Sequence, residues 1–151
     1  DNYCCEIMIY IDNSRNYLFR KFATDTENPM LNFDLAYYYH SIGHTASAFS
    51  HYLRCAERTE NKNLAYEALI RGSYCYDKQG TRDGSAKSML QQALVLLPKR
   101  PEAYFLLSKF SENQKHWEDS YFIASIGLSV CDFKSFILDA FKNPLTIILL
   151  L

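Results

Sequence analysis

A chain of 151 residues and 17.6 kDa, 48% hydrophobic and 22% charged, has the length and composition of one ordinary globular domain. Its 16 Lys+Arg against 17 Asp+Glu leave no basic excess for nucleic acid or an anionic membrane surface, so no nucleic-acid partner is expected. An aromatic content of 15% excludes a low-complexity or disordered chain, and only 5 Gly and 4 Pro leave room for long helices.

The five cysteines, Cys4, Cys5, Cys55, Cys75 and Cys131, are odd in number and lack CxxC spacing. They read as reduced thiols of a cytoplasmic protein. No cationic stretch followed by an apolar one opens the chain, so no secretory signal is read there. The closing apolar run Leu145 to Leu151 is far below the roughly 20 residues that span a bilayer, so no membrane span is expected. The first residue is Asp and the last ones are apolar, so both ends read as cut.

In chain order, Ile7 to Ile11 is a β-branched run, a strand or an irregular lead-in, closed by the capping cluster Asp12-Asn13-Ser14. Leu18, Phe19 and Phe22 recur at helical spacing and predict a first helix over about 15–23, broken by the polar segment ending in Pro29. Phe33, Leu35, Ala36 and Tyr39 then run at helical offsets to a turn at Gly43-His44-Thr45, and Ala48, Phe49, Tyr52, Leu53 and Cys55 share one side of the following helix. The pattern recurs. Leu69 to Asp77 pairs with Ala86 to Leu94, and Tyr104 to Phe110 pairs with Trp117 to Leu128, while Thr59 to Asn63 reads as a polar linker.

The small residues opening each second helix, Ala48, Ala86 and Ser120, lie 38 and then 34 residues apart. Two helices per unit at a period near 34 resembles the tetratricopeptide repeat (TPR) family. Leu35, Ala36, Tyr39, Gly43, Ala48 and Tyr52 carry the resemblance in the first unit, with Cys55 where a small residue is usual. Ala86, Leu90, Ala93 and Pro98 carry it in the second. In the third, Tyr104, Leu107, Ser108, Ser120 and Gly127 match, but Ala124 replaces a bulky residue and Ser111 a tyrosine. The small residues allow close helix approach, the large ones fill the flanks, and Pro98 and Pro101 stop one helix and open the next. The expected fold is all-α, a TPR-like α-solenoid of about three helix-turn-helix repeats with flanking helices. Its divisions are a lead-in over 1–28, repeats over 29–130 (29–62, 63–100 and 101–130), and a trailing segment over 131–151.

A narrower resemblance touches the flanks. Arg15 to Phe22, Asp25 to Pro29 and Asn32 to Ala36, with Lys99 to Leu107, are similar to the repeat region attached to some family-2-type glycosyltransferases, phage and bacterial ones included. That family's nucleotide-sugar site needs an Asp-x-Asp motif, which this chain lacks, so the resemblance implies a catalytic domain before Asp1.

Candidate chemistry is sparse. His40 and His44 have zinc-pair spacing, but the metalloprotease glutamate is missing and Gly43 ends the helix between them, so the plainer reading is two solvated turn histidines and no metal. No Gly-x-Ser-x-Gly turn marks a nucleophile, and Gly80 to Gly84 lacks a phosphate-loop ending. No catalytic residue and no cofactor is expected, and the chain as given is read as no enzyme. In stacked helix pairs the first helix of each unit lines the concave surface, which offers Phe33, Tyr37 and His40, then Ile70, Arg71, Tyr74 and Asp77, then Phe105, Lys109 and Glu112 as ligand-groove candidates. Some TPR proteins clamp a terminal carboxylate with Lys and Asn in the first repeat; Phe33 and Tyr37 stand there, so that function does not carry over. Against groove binding stands internal packing, with several rings resting on the leading helix or on one another. In the trailing segment Asp132 caps an expected helix from Phe133 to Phe141 that packs on the third unit. The functional reading is a non-catalytic protein-interaction or scaffolding module holding a peptide or protein partner in an aromatic groove. The alternative is the C-terminal repeat region of a glycosyltransferase, with a glycan acceptor.

Overall fold

The computed structural model describes residues 15–77 and 83–131, apart from the side chains of Tyr76, Asp77 and Asp83. The lead-in run at Ile7 to Ile11, residues 78–82, and the segment for which a trailing helix and apolar tail are expected lie outside the described residues. All regular structure among the described residues is helical. Helix α1 covers residues 15–24. It is followed by α2 (Pro29–Ser41), α3 (Thr45–Arg58), α4 (Lys62–Asp77), α5 (Asp83–Leu96), α6 (Pro101–Asn113) and α7 (Trp117–Val130). Each helix packs on the next in the chain from α2 to α7, which makes units of α2 and α3, α4 and α5, and α6 and α7. The architecture is the expected TPR-like α-solenoid.

One expected boundary moves. The polar stretch Thr59 to Asn63 is not all linker, because α4 begins at Lys62. The cause is Asn61, whose side-chain oxygen accepts from the Asn63 and Leu64 amides at 3.0 and 3.3 Å and so caps the new helix. Polar residues in a first turn are a helix signal when a cap precedes them, and the apolar run begins only at Leu64.

Units one and three repeat one backbone at an interval of 72 residues. Proline opens both first helices, at Pro29 and Pro101, where its missing amide hydrogen is no loss. The inter-helix turn is the same in both. The residue after Ile42 or Gln114 takes a left-handed conformation, Gly43 at φ 80° and Lys115 at φ 62°. The next amide then bonds back, His44 to the Tyr39 carbonyl and His116 to the Ser111 carbonyl, both at 2.9 Å. Helix α1 ends as many residues before Pro29 as α5 ends before Pro101, so it holds the register of a second helix in a preceding unit. It is tied down by Phe19 edge-on to Tyr38 and Tyr39, and by Phe22 edge-on to His51.

Two apolar clusters fill the interior. Ala36, Ala48, Tyr52, Cys55, Ala68 and Cys75 join unit one to α4, and Tyr66, Leu69, Ile70, Met89, Leu90, Ala93, Ala103 and Leu107 join unit two to α6. Small residues at Ala36, Ala48, Ala86 and Ala93 let the axes approach, as the sequence pattern requires. The joint between units two and three is Tyr66, fully buried, whose hydroxyl donates to Glu102 Oε2 at 3.0 Å and accepts the Ala103 amide at 3.3 Å. Burial, with the Glu102 charge beside it, pushes the Tyr66 hydroxyl pKa up, so it stays a neutral donor. Arg100 closes the joint, its guanidinium 5.3 Å from the Tyr66 ring centroid.

Candidate functional site

The first helices of the units, α2, α4 and α6, carry a line of rings and cations. Arg71 on α4 is its middle. Its guanidinium lies 6.0 Å from the Phe33 ring centroid and 5.6 Å from that of Tyr37, two residues one helical turn apart on α2. Glu67, one turn earlier on α4, accepts from Arg71 Nε at 2.8 Å and so anchors the guanidinium beside the rings. The platform is thus nearly neutral, and its recognition surface is π-face and stem.

Behind the platform sits Tyr52, fully buried, with its ring edge-on to Phe33 at 5.5 Å and to His40 at 6.4 Å. Its hydroxyl makes no hydrogen bond of acceptable geometry. Burial pushes its pKa up, opposed by the neighbouring Arg71 charge, so the hydroxyl stays protonated.

His40 links the platform to the next ring, with its centroid 5.8 Å from that of Tyr74 on α4. Reading His40 as a solvated turn histidine is therefore corrected: the imidazole is half-buried between Tyr52 and Tyr74. His44 diverges from it, starting α3 and tilting over Tyr39, so the two imidazoles do not face one site.

Beyond Tyr74 the surface dips into a cavity of about 110 Å³ between α4 and α6, lined by Ser73, Tyr74, Phe105, Leu106, Lys109, Phe110 and Asn113. Lys109 stands at the rim with its ammonium 5.9 Å from the Phe105 ring centroid. Ser73 offers no open donor, because its hydroxyl already donates to the Ile70 carbonyl at 2.7 Å.

Of the ten groove residues expected from the sequence, Phe33, Tyr37, His40, Arg71 and Tyr74 come together on α2 and α4, and Phe105 and Lys109 share the cavity with Tyr74. Ile70 does not open on the groove; at 3% exposure it belongs to the core with Tyr66 and Leu90. Glu112 is exposed outside the cavity wall. Asp77 ends α4, and its side chain lies outside the description. Sequence reasoning missed Ser73, Leu106, Phe110 and Asn113. Asn113 lies four residues past Lys109, so the helical step that selected Lys109 also reaches it.

The packing alternative holds for part of the aromatic set: Tyr38 and Tyr39 rest on Phe19 of α1. Cys55 and Cys131 are buried thiols. Burial, with the Asp34 carboxylate nearby, pushes Cys55 up to about 11, which leaves it a poor nucleophile at neutral pH. No helix among the described residues is long and apolar enough to cross a membrane.

No family model and no curated protein matches the chain. Among solved structures, the one described as "MamA MSR-1 C2" aligns with a TM-score of 0.67 at 20% identity, over 83% of this chain and 70% of that one. A second, "Crystal structure of MamA", is similar at 15% identity over 78% of this chain and 86% of that one, with a TM-score of 0.39. Neither match touches glycosyltransferases. The first likeness agrees with the repeat geometry above, and the fold is that of a TPR-like helical repeat protein.

Proposed function

We propose that this chain is a non-catalytic protein-interaction module that holds a peptide segment along α2, α4 and α6. The observation that carries the reading is the unbroken series from the Phe33, Tyr37 and Arg71 platform through His40 and Tyr74 to the cavity under Phe105. A cavity of about 110 Å³ takes one apolar side chain of a peptide. The rings beside it supply rigid contact area at small entropic cost, and the Lys109 ammonium at the rim favours an acidic neighbour in the ligand. A peptide with an apolar anchor next to Asp or Glu is the ligand class that fits.

The test is a selection from a random peptide library displayed on phage, followed by affinity measurements on the selected peptides. Tyr74→Ala is expected to weaken binding by about 1–3 kcal/mol, the range of an aromatic anchor, with the helical circular dichroism retained. Lys109→Ala should weaken it less and remove the preference for acidic peptides. Failure to select any peptide, or selected peptides that bind Tyr74→Ala unchanged, overturns the reading. Sugar rings stack on the same faces, so an oligosaccharide array is the second arm. Binding there alone would move the chain to the glycosyltransferase alternative, with a glycan acceptor in place of a peptide.

A further inference from the structure

The three first helices end 36 residues apart, at Ser41, Asp77 and Asn113, so their seams can be compared position by position. Between α2 and α4, contact continues from the platform of Phe33, Tyr37 and Arg71 to His40 beside Tyr74, near the C-terminal ends. Between α4 and α6 the arrangement is the reverse. The C-terminal halves part around the cavity of about 110 Å³, and the directional bonds gather at the N-terminal ends.

Those bonds are few. Tyr66 of α4 bridges Glu102 Oε2 and the Ala103 amide in the first turn of α6. In the same turn Tyr104 donates to the Pro98 carbonyl of the linker at 3.1 Å. Among the described residues no other side-chain hydrogen bond ties α6 to unit two. Beyond this turn the contact is apolar: Leu69 and Ile70 of α4 share a cluster with Ala103 and Leu107 of α6, and Leu107 stands 36 residues after Arg71. Apolar contact is non-directional and lets packed helices slide by small amounts. The packing of α5 on α6 is also the sparsest of any consecutive pair from α2 to α7. Met30, 36 residues before Tyr66, has no hydroxyl, so α2 has no such bridge to α4.

We infer that α6 swings about the Tyr66 bridge and that the cavity opens and closes by this swing. Tyr66 and Tyr74 are eight residues apart on α4, so the cavity lies about 12 Å along the helix from the pivot. A turn of about 10° at the pivot moves the far wall by about 2 Å, which carries Leu106 and Phe110 towards Tyr74. Tyr66 is fully buried and touches no ligand. It is a positioning residue that sets where Phe105 and Lys109 stand over the cavity. That the cavity closes on an anchor side chain rests on the groove reading above, whereas the swing itself needs no ligand.

The experiment is methyl relaxation dispersion by nuclear magnetic resonance on the full chain without ligand, beside amide hydrogen exchange. Leu106 is expected to show exchange on the microsecond to millisecond scale that Leu35 and Leu53 of unit one lack. Ser73→Val fills the cavity from α4 and gives up only a bond to the Ile70 carbonyl of its own helix, so it should flatten the Leu106 profile. Tyr66→Phe keeps the ring and removes the bridge. The Ala103 amide, whose partner is the Tyr66 hydroxyl, should then exchange at least about tenfold faster, and dispersion should spread to Leu107, while α2 and α3 keep their protection. A flat Leu106 profile in the parent, a profile that Ser73→Val leaves unchanged, or an Ala103 amide equally protected in Tyr66→Phe overturns the inference. Equal dispersion in Leu35 and Leu53 assigns the motion to the whole chain and overturns it as well. No peptide enters these measurements. A failed peptide selection therefore leaves a positive result standing, and a flat profile removes the swing without touching the groove reading.

Discussion

Units one and three trace the same backbone with different chemistry inside it. Unit one is held by polar side chains. Asn28 caps α2 by accepting the Met30 and Leu31 amides, and the buried Asn32 donates to the Thr26 and Asn28 carbonyls at 2.8 and 2.9 Å and meets His51 Nδ1 at 3.0 Å. Unit three has none of this: Arg100 makes no side-chain cap, and the counterparts of Asn32 and His51 are Tyr104 and Ile123. It relies instead on close approach, with Ser108 and Ser120 hydroxyls 3.2 Å apart and Gly127 against Tyr104. The shared elements are the proline that opens the unit and the left-handed residue in its turn. Those local backbone devices therefore set the unit's shape, and the filling is free to vary around them.

The sharpest way to break unit three alone is at its tightest contact. A Cβ added to Gly127 would stand 2.8 Å from Tyr104 Cβ, which is fixed to the α6 backbone and cannot swing away, and 3.1 Å from its Cγ. Unit one carries Cys55 at this register, so its helices tolerate a side chain there. Gly127→Ala gains about 1 kcal/mol of helix propensity but overpacks the contact by about 1–3 kcal/mol. We expect a net loss of up to about 2 kcal/mol in urea denaturation, with amide protection falling in α6 and α7 and holding in α2 and α3. A stabilised Gly127→Ala would mean that the two helices can separate at no cost and that close approach does not hold unit three.

Next in size is the turn, where the two units can be exchanged. Gly43 adopts φ 80° at no steric cost, whereas Lys115 holds φ 62° against its own Cβ. Lys115→Gly should stabilise the chain by about 1 kcal/mol and Gly43→Lys should destabilise it by a similar amount, read as opposite shifts in melting temperature. Apart from its chain neighbours, no residue comes within 4 Å of a Cβ built on Gly43, so the second effect is backbone strain without a clash. Shifts of the same sign in both variants would sink the equivalence of the two turns.

The turn also shows what was legible in the sequence. Helix pairing, the repeat interval and the small residues at close approach were readable, because each follows from spacing along the chain. The left-handed conformation was readable at Gly43 and hidden at Lys115, where residue type argues against it and only the repeat register reveals it. The groove divides the same way. Helical phase placed Phe33, Tyr37 and Arg71 together, but it misassigned Ile70, because a helix packed between two neighbours buries more than one face. The Asn32 and His51 contact spans two helices, and no local pattern announces a buried polar pair of that kind.

That pair yields the smallest expected effect and separates the units by pH. His51 is stacked on Tyr39 at 5.6 Å, edge-on to Phe22 and bonded to Asn32. Burial, reinforced by the Arg54 guanidinium, holds its imidazole below the ordinary value of 6.5. The unfolded chain thus takes up a proton at a higher pH than the folded one. The contribution of His51 is whole above pH 6.5 and is lost as pH falls through 6.5 towards the lower folded value. Ile123 at the same register in unit three has nothing to titrate. Between pH 7.5 and 5.5 the parent chain should lose more stability than His51→Gln, by a small margin because the ring is only half-buried and partly screened. His40, His44 and His116 are common to both proteins and cancel in the difference. The early loss of protection on acidification should appear in α1 to α3 and spare α6 and α7. Equal pH dependence in the two proteins would show that the imidazole holds unit one by shape alone.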